Sequence, residues 1–380
     1  MSRLLIIFLI SLGSSLSVSA QIDEQAVRNE IAMLQGIDSL LMEFESFGVK
    51  GPGSSGLHNC GEWLASEYRS YGYTDVQFDT FDSPLSGINY NVLAYLPVAG
   101  AKSTIIVGSH YDTRGGPGTN DNGTGVAVQL LLAERLAITV PEVNILFVHF
   151  AGEEQGFHGS QHEANKWKDS SASLTMYYNL DQLGGTKGLA DNMRVICERD
   201  EYPNPATNNA ASASEVNEMV SNIEKYSSIK TSINRAYSSD YEPFQSLGFN
   251  IVGLYQHGPY DHEHTASDTL ANVDTAVTLE IAKGFYAHLI VRYKILPILS
   301  VSEHTINLKV YPNPTSTQLR FSGPEIKGVW NYRIVAHNGK EVQVGRSTGT
   351  INLHDLSQGL YILRLHFGEV SINKRFVVGE

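Results

Sequence analysis

Histidine and carboxylate side chains recur in the middle of the chain, each close to a point where an apolar run gives way to a polar loop. They are His110, Asp121, Glu153, Glu154, Asp181 and His264. Imidazole nitrogens and carboxylate oxygens form a donor set that suits Zn²⁺ and also accepts Co²⁺ or Mn²⁺. The set predicts a metal site, and a pair of divalent ions can activate water for hydrolysis near neutral pH.

The segment GSHYDTRGGPGTNDNGTG, residues 108–125, carries three candidate groups. His110 is a candidate ligand, and Asp112, two positions later, is expected to orient the histidine ring. Asp121 follows the glycine-rich loop at the predicted start of a helix, where its two carboxylate oxygens can each bind one metal ion. The alternative interpretation is that Asp121 only caps that helix.

Two adjacent glutamates, Glu153 and Glu154, follow the apolar run VNILFVHF. Side chains of neighbouring residues in an extended chain point to opposite sides. We therefore expect one glutamate to bind metal and the other to act as a general base toward the attacking water. The sequence position alone does not assign the two roles.

Apolar runs typical of buried strands occupy residues 91–96, 104–109, 143–150, 175–180, 193–197 and 250–255. Apolar residues at helical spacing predict helices at 22–47, 56–72, 123–137, 159–168, 213–226 and 274–293. This alternation predicts an α/β fold of three layers, α/β/α, with a central mixed, mostly parallel sheet. In such sheets ligands collect at the carboxyl ends of the strands, where several of the candidate residues lie.

The two ends of the chain differ from this α/β body. Residues 1–20 contain a basic residue, a short apolar run and then small residues, which is typical of a secretory signal peptide. No later segment is apolar enough to predict a membrane span. Residues 301–380 contain short alternating segments without a helical period, which predicts a small β-sandwich. We therefore expect a signal peptide at 1–20, a catalytic domain at 21–300 and a C-terminal sandwich at 301–380.

Charge is distributed unevenly along the chain, whose formal net charge is -13. Residues 303–380 hold nine basic and six acidic residues, whereas residues 21–302 hold 17 basic and 34 acidic residues. So acidic a body argues against nucleic acid as a partner. Two cysteines, Cys60 and Cys197, are too few for a thiolate zinc site, and the sequence leaves their pairing open.

The stretches SHYDT, GTNDNGTGVA, AGEEQGFHGS, NLDQLG and HEHTASDT resemble the di-zinc aminopeptidases of metallopeptidase family twenty-eight. The relatives of these enzymes include carboxypeptidases and glutaminyl cyclases, and the resemblance covers residues 22–296. It implies two Zn²⁺ per chain and divides the ligands between them. In that family His110 and Asp181 would hold one zinc ion, Glu154 and His264 the other, and Asp121 would bridge them.

The same resemblance implies further roles. Glu153 would take a proton from the attacking water and pass it to the leaving amine. Tyr237 and Asp240, in RAYSSDYEPF, fall where the family places a transition-state hydrogen-bond donor and a nearby structural carboxylate. The implied activity is hydrolysis of the N-terminal residue from peptides with a free N-terminus.

Three alternatives remain open at this point. A glutaminyl cyclase of the same family would use one zinc ion, whereas this chain has the complete set of five ligands. A carboxypeptidase needs a cation for the substrate carboxylate, for which Arg114 and Arg235 are candidates. A non-catalytic surface binding protein has no need of the intact ligand set.

The C-terminal stretches VYPNPTSTQLRF, NGKEV, LSQGLYILRL and NKRFVV resemble the sorting domain of the type IX secretion pathway. This resemblance implies that the secretion machinery is a partner. It also implies that the chain is secreted or associated with the outer membrane or cell surface of a Gram-negative bacterium. The alternative is an accessory sandwich for carbohydrate or protein contacts.

Overall fold

The computed structural model describes residues 23–83, 87–297, 308–323, 328–336, 341–353, 356–367 and 370–379. The segment predicted to be a signal peptide lies outside these ranges. Among the described residues, no helix combines the length and the apolar composition that crossing a membrane requires. Cys60 and Cys197 are both buried as free thiols.

The helices of the described part alternate with strands, as expected for the first 300 residues. They are α1 (Glu24–Ile31), α2 (Ile37–Ser46), α3 (Ser55–Tyr71), α4 (Gly123–Leu136), α5 (His158–Asp169), α6 (Asn209–Tyr226), α7 (Tyr241–Ser246) and α8 (Thr275–Tyr293). The expectation of one opening helix over 22–47 is wrong, because the chain turns between α1 and α2. Gly36 adopts a left-handed conformation there, with φ of 90°. Leu34 in the turn is buried too, which made the apolar spacing look continuous.

The strands of the α/β body form one large sheet and one short pair. They are β1 (Asp75–Ser83), β2 (Gly87–Leu96), β3 (Thr104–His110), β4 (Thr139–Val140), β5 (Asn144–Phe150), β6 (Leu174–Asp181), β7 (Arg194–Arg199), β8 (Lys230–Arg235), β9 (Ile251–Gln256) and β10 (Leu296–Pro297). The large sheet has eight strands in the order β1-β2-β5-β3-β6-β9-β7-β8. Four of its seven strand pairs are parallel and three antiparallel, so the predicted mixed, mostly parallel sheet is confirmed.

Helices cover both faces of this sheet, which confirms the three-layer architecture. The larger apolar cluster joins one sheet face to α1, α2, α3, α4, α6 and α8. A smaller cluster on the opposite face includes residues of α5 and α7. The central strands β5, β3, β6 and β9 run parallel to one another, so their carboxyl ends meet at a single edge. The functional loops therefore converge on that edge.

Two edge strands, one short helix and the two-residue strands β4 and β10 were not predicted. β8, with the sequence KTSINR, lies at the sheet edge and is largely exposed, so it lacks the apolar run by which buried strands are recognised. β1 lies at the opposite edge and alternates polar and apolar residues. α7 has six residues, too few to establish a helical period.

In the described part of the C-terminal region, the strands pair antiparallel in two sheets. They are β11 (Lys309–Tyr311), β12 (Gln318–Ser322), β13 (Trp330–Ala336), β14 (Glu341–Ser347), β15 (Thr350–Asn352), β16 (Gly359–Phe367) and β17 (Val370–Val378). They form a three-stranded sheet, β11-β12-β15, and a four-stranded sheet, β14-β13-β16-β17. Their apolar side chains form a separate cluster that includes Leu319, Trp330 and Leu363.

Because this cluster shares no residue with the two clusters of the α/β body, we expect a chain of residues 21–300 to fold without the C-terminal region. Its melting temperature should lie within about 4 °C of that of the chain 21–380, as measured by calorimetry. A matched Arg364→Ala variant of the longer chain removes the contact between this guanidinium and the Ser70 carbonyl. Loss of cooperative unfolding in the shorter chain would contradict the predicted boundary.

Candidate metal centre

Five of the six candidate side chains come together as two groups of three that share one member. His110, Asp121 and Asp181 form one triad, and Asp121, Glu154 and His264 form the other. Within each triad the ligand atoms all lie within 4.8 Å of one another. Asp121 belongs to both, which is the arrangement expected of a bridging carboxylate.

The two oxygens of Asp121 face different histidines. Oδ1 lies 3.3 Å from Nε2 of His110, and Oδ2 lies 3.1 Å from Nε2 of His264. His110 Nε2 is also 3.4 Å from Asp181 Oδ1, and His264 Nε2 is 3.0 Å from Glu154 Oε2. A tetrahedral zinc ion with bonds of about 2.0–2.1 Å separates its ligand atoms by about 3.3–3.4 Å. The four histidine–carboxylate distances therefore lie within a few tenths of an ångström of the spacing around zinc.

Two of these carboxylates also carry a buried oxygen without a hydrogen-bond partner among the described residues. These atoms are Asp181 Oδ1, in the first triad, and Glu154 Oε1, in the second. A buried, unpaired carboxylate oxygen is costly unless a proton or a cation satisfies it. The donor set, its spacing and these two atoms together fit a pair of divalent cations.

The charges of the centre shift the pKa values of its members in opposite directions. Burial raises the pKa of Asp121, but the neighbouring His110 and His264 outweigh it and lower the pKa to about 2. Burial, reinforced by the charge of Asp121, raises the pKa of Glu154 to about 8. The hydrogen bond with Asp121 is the main reason why the pKa of His264 rises to about 9.

The ring of His110 is oriented by Asp112, but through the backbone of that residue. His110 Nδ1 donates a hydrogen bond to the carbonyl oxygen of Asp112 at 3.0 Å, whereas the Asp112 carboxylate lies 3.8 Å away. This partner places the proton on Nδ1 and leaves Nε2 free to bind metal. The Asp112 carboxylate instead accepts the backbone N–H groups of Glu153 and Glu154, at 3.2 and 3.3 Å.

The paired glutamates lie in a turn and not at the end of an extended strand, so the argument from strand alternation does not apply. β5 ends at Phe150, and Gly152 then adopts a left-handed φ of 79°. Glu154 enters the second triad, whereas Glu153 belongs to neither. Both side chains line the same cavity. The turn is held by Asp112, and it brings Glu154 but not Glu153 into a triad.

The helix that follows Asp121 is capped by Asn122, the next residue in the chain. Asn122 is the N-cap of α4, and its side-chain oxygen accepts the N–H of Gly125 at 3.0 Å. Its side-chain nitrogen donates to the carbonyl of Leu180, next to Asp181. The capping interpretation of Asp121 is therefore wrong, because Asn122 caps the helix and leaves the Asp121 carboxylate for the centre.

Asp268 connects the loop that carries Asp121 to the loop that carries His264. Its buried carboxylate accepts the backbone N–H of Asn120 at 2.8 Å and that of Asp121 at 3.0 Å. It also accepts the hydroxyl of Tyr260 at 2.8 Å. Because Asp268 lies four residues after His264, these bonds fix the position of Asp121 relative to that histidine.

The loop around Gly116 packs closely against the His264 loop. A Cβ atom on Gly116 would lie 1.8 Å from the backbone oxygen of Thr265, so no larger residue fits there without moving the backbone. His264 itself has a left-handed φ of 57° and is partly exposed at the mouth of the cavity. The glycine-rich segment therefore lets the two loops approach each other.

Asp181 is held by a chain of buried polar groups. Its Oδ2 accepts the hydroxyl of Ser239 at 2.7 Å, and Ser239 accepts the amide of Asn179 at 2.8 Å. Tyr177 in turn donates to the oxygen of Asn179 at 2.5 Å. This series of hydrogen bonds occupies Oδ2 of Asp181. Oδ1 of Asp181, the atom of the first triad, is left available to a cation.

The centre opens into a cavity of about 860 Å³ whose lining includes both triads. Tyr237 lines it and is 76% exposed, so its hydroxyl is available to a bound molecule. Arg114 and Arg235 line the same cavity. Asp240 is buried behind it, and burial raises its pKa to about 7, a rise that the charge of His110 opposes.

Sequence reasoning missed Asp268, Asn122 and Ser239. All three lie inside the quoted motifs HEHTASDT, GTNDNGTGVA and RAYSSDYEPF. Their roles depend on partners 58–148 residues away in the chain. Membership of a motif was therefore the only available signal, since no local pattern reveals such partners.

The model of Peptidase family M28 matches residues 91–288, which are 198 of the 380 residues. The chain belongs to peptidase family M28. A second model, of the secretion system C-terminal sorting domain, matches residues 309–379. The resemblances noted in the catalytic and C-terminal motifs are thereby confirmed.

Curated relatives in this family match only parts of their length. A probable zinc metalloprotease of Pyrenophora teres f. teres is 30% identical over 224 residues, covering 50% of this chain and 47% of that protein. An aminopeptidase of Pseudomonas aeruginosa is 29% identical over 168 residues, covering 44% of this chain and 31% of that protein. The chain spans about half or less of the length of these relatives.

Solved structures of the M28 fold are similar in architecture but distant in sequence. LapA aminopeptidase of Legionella pneumophila has a TM-score of 0.62 at 18% identity, over 72% of this chain and 76% of that chain. Glutaminyl cyclase of Macrostomum lignano also has a TM-score of 0.62, at 20% identity, over 73% and 95%. At this identity the similarity establishes the fold, and two activities share it.

The hydrogen bonds that Asp268 accepts from the backbone of Asn120 and Asp121 can be tested with Asp268→Asn, which keeps the size of the side chain. An amide nitrogen cannot accept a backbone N–H, so a buried donor loses its partner and stability should fall by about 1–3 kcal/mol. Chemical denaturation of the metal-free protein measures this loss, and metal analysis should show less zinc retained per chain. The exposed Asp261→Asn, in the same loop, is the matched control and should change neither quantity.

Zinc binding to this M28 centre should release protons. In the metal-free protein at pH 7, His264 and Glu154 are protonated because their pKa values are about 9 and about 8. Zinc requires both groups deprotonated, so its apparent affinity should rise as pH increases from 6 to 9, about tenfold per pH unit for each proton released. Calorimetry in buffers of different ionisation enthalpy counts the protons. His264→Gln should release fewer, and an affinity independent of pH would contradict the assignment.

Proposed function

We propose that this M28 protein is an exported zinc-dependent aminopeptidase that removes N-terminal residues from peptides with a free amine. The observation that carries the proposal is the pair of triads sharing Asp121, each of whose oxygens faces a different histidine. This arrangement supports the proposed count of two zinc ions per chain. The aminopeptidase from Pseudomonas aeruginosa among the relatives supports the activity.

The residues of the chain divide the work of hydrolysis. His110 and Asp181 would hold one zinc ion, Glu154 and His264 the other, and Asp121 both. Two zinc ions bound there would polarise the scissile carbonyl and lower the pKa of a water molecule between them. Fixed ligand positions require little rearrangement during the reaction, because Asp268, Asn122 and Ser239 already hold the loops.

Glu153 is proposed as the general base. Burial raises its pKa well above the ordinary value; the charge of His110 opposes this rise, and Asp240 and Asp181 add to it. A carboxylate with a raised pKa is basic enough to accept a proton from water near neutral pH. The same carboxyl group can then donate that proton to the leaving amine, so no covalent intermediate with the protein is required.

Tyr237 is proposed as a hydrogen-bond donor to the substrate carbonyl in the transition state. Its backbone is fixed by the hydroxyl of Tyr241, which accepts the Tyr237 N–H at 2.6 Å and lies 2.9 Å from the Tyr237 carbonyl. The side chain remains exposed in the cavity. A held backbone and a free hydroxyl suit a group that must meet a bound substrate.

We also propose that the C-terminal region directs export. Its match to a secretion sorting domain supports a secreted or surface location. The type IX machinery of a Gram-negative bacterium is the proposed partner, and peptides outside the cell are the proposed substrates. A signal peptide at residues 1–20 would provide the first export step.

Two other activities need separate assays. Arg114 and Arg235 line the cavity, and a cation there favours a carboxypeptidase that grips a substrate carboxylate. The fold is also shared with a glutaminyl cyclase.

These possibilities are separated by metal analysis followed by a panel of assays. The panel measures hydrolysis of aminoacyl amides, N-acylated amides and C-terminal dipeptides, and cyclisation of glutaminyl peptides. Two zinc ions and cleavage of only the free-amine substrates are expected, with loss of activity on chelation.

Glu153→Gln should keep zinc bound and lower kcat by about 10²–10⁴-fold, because the amide cannot accept the proton from water. Metal analysis and initial rates on an aminoacyl amide measure both effects. Asp261→Asn, which removes an exposed carboxylate from the loop that carries His264, should retain activity within a few-fold. Full turnover in zinc-loaded Glu153→Gln would show that another residue is the base.

A further inference from the structure

We propose that Glu198 is the specificity-determining residue of the cavity and selects substrates whose N-terminal residue has a cationic side chain, lysine or arginine. This inference rests on the proposed aminopeptidase function. It concerns a buried carboxylate that belongs to neither metal triad and takes no part in the proposed proton transfer. Glu198 lines the cavity and is 8% exposed.

The sheet places Glu198 on the same face as the metal-binding Asp181. Glu198 of β7 pairs with Gly253 of β9, and Gly253 pairs with Asn179 of β6, two residues before Asp181. Residues two apart on a strand share a face. With strands about 4.8 Å apart, the backbone of Glu198 lies about 10 Å across the sheet from that of β6. This face of the sheet forms the floor of the cavity. The four-carbon stem of a substrate lysine bound beside the metals can extend along this floor.

Gly253 makes room for the carboxylate on the floor. A Cβ atom at this position would lie 2.4 Å from Glu198 Oε2 and 2.9 Å from a ring carbon of Tyr241. The glutamate side chain therefore lies directly over the glycine backbone. Any larger residue at position 253 would push the carboxylate away from the floor.

Among the described residues, the Glu198 carboxylate has no ion pair with a basic side chain. Its Oε2 lies 3.1 Å from the hydroxyl of Tyr241, and none of the ion pairs found in the described part of the chain includes Glu198. Burial raises its pKa to about 8. As for Glu154, this pKa leaves the carboxyl group mostly protonated at pH 7 in the free protein. A substrate ammonium group beside it lowers the pKa and favours the ionised form, so the carboxyl group releases its proton to solvent as the ion pair forms.

The walls beside Glu198 suit the aliphatic stem of a basic side chain. Ile196, Tyr241 and Tyr255 line the cavity, and Ile196 shares the cavity face of β7 with Glu198. Long basic side chains pack their methylene groups on apolar surface while the charged end meets a polar partner. Arg235 also lines the cavity, but its guanidinium lies over the ring of Tyr202, 4.3 Å from the centroid. Arg235 therefore does not pair with Glu198, whose carboxylate is available to a substrate.

The test compares lysine with norleucine, which has the same four-carbon stem without the ammonium group. Zinc-loaded protein is assayed on the two aminoacyl anilides, and wild type should have the higher kcat/KM for lysine. Glu198→Gln, which keeps the size and a hydrogen-bonding group, should lower kcat/KM for lysine by about tenfold to hundredfold. Its kcat/KM for norleucine should be unchanged within about threefold. The inference would be overturned if wild type had a kcat/KM for norleucine equal to or above that for lysine, and if Glu198→Gln left this ratio unchanged.

A structural role for Glu198 predicts a different pattern. Glu198 contacts Tyr241, which holds the backbone of Tyr237. A purely structural defect should therefore lower kcat/KM equally for the lysine and the norleucine substrate. Tyr241→Phe is the matched control, since it removes the hydroxyl but keeps the carboxylate. It should lower both rates while preserving the lysine preference. Equal losses for the two substrates in Glu198→Gln would therefore reject the selective role.

Binding measurements separate this inference from the proposed reaction. Calorimetry of lysine amide and norleucine amide is performed in a Glu153→Gln background, where turnover is suppressed. Tighter binding of lysine amide that is lost on adding Glu198→Gln supports the subsite even if no anilide is hydrolysed, in which case only the aminopeptidase function fails. Equal binding of the two amides, with anilide hydrolysis intact in wild type, would reject the subsite alone.

Discussion

The shared carboxylate of Asp121 is the contact around which the centre is organised. Its two oxygens face His110 and His264, side chains that reach the cavity from different loops. A buried carboxylate in such a position is tolerated only because cations or protonated imidazoles surround it. The position of this one side chain therefore determines the spacing of both triads and, with it, the geometry available to two metal ions.

Several parts of the fold hold that carboxylate in position. Asp268 accepts the backbone N–H of Asp121 and connects it to the loop that carries His264. Asn122 caps α4 and bonds to Leu180, beside the Asp181 ligand. Because each support reaches a segment that bears another ligand, the centre behaves as one hydrogen-bonded unit. Pre-organisation of this kind lowers the free energy needed to reach the transition state.

Carboxylates around the cavity are divided by environment into different roles. Asp121 keeps a low pKa beside two histidines, whereas burial raises the pKa of Glu153 and that of Glu198. Glu153 lies near the centre and suits proton transfer, and Glu198 lies across the sheet and suits recognition of a substrate charge. In the roles proposed for them, these carboxylates differ through their partners and their desolvation.

The sequence by itself determined the α/β alternation, the C-terminal β region and the set of ligand types. Apolar strands ending in polar loops are local patterns, so His110 and Asp181 could be placed at strand ends without coordinates. The motifs also identified the family. Boundaries were less accurate where a turn kept the apolar spacing, as between α1 and α2, or where an edge strand such as β8 is mostly polar.

Only the tertiary structure decided which atoms meet. Asn122, and not Asp121, caps α4, and the backbone of Asp112, and not its carboxylate, orients His110. Glu198 reaches the cavity floor because β7 pairs with β9 in one particular register. These contacts join residues far apart in the chain and depend on strand register and loop packing. No local sequence pattern encodes these contacts, which is why the sequence indicated the candidate ligands but not the residues that hold them in place.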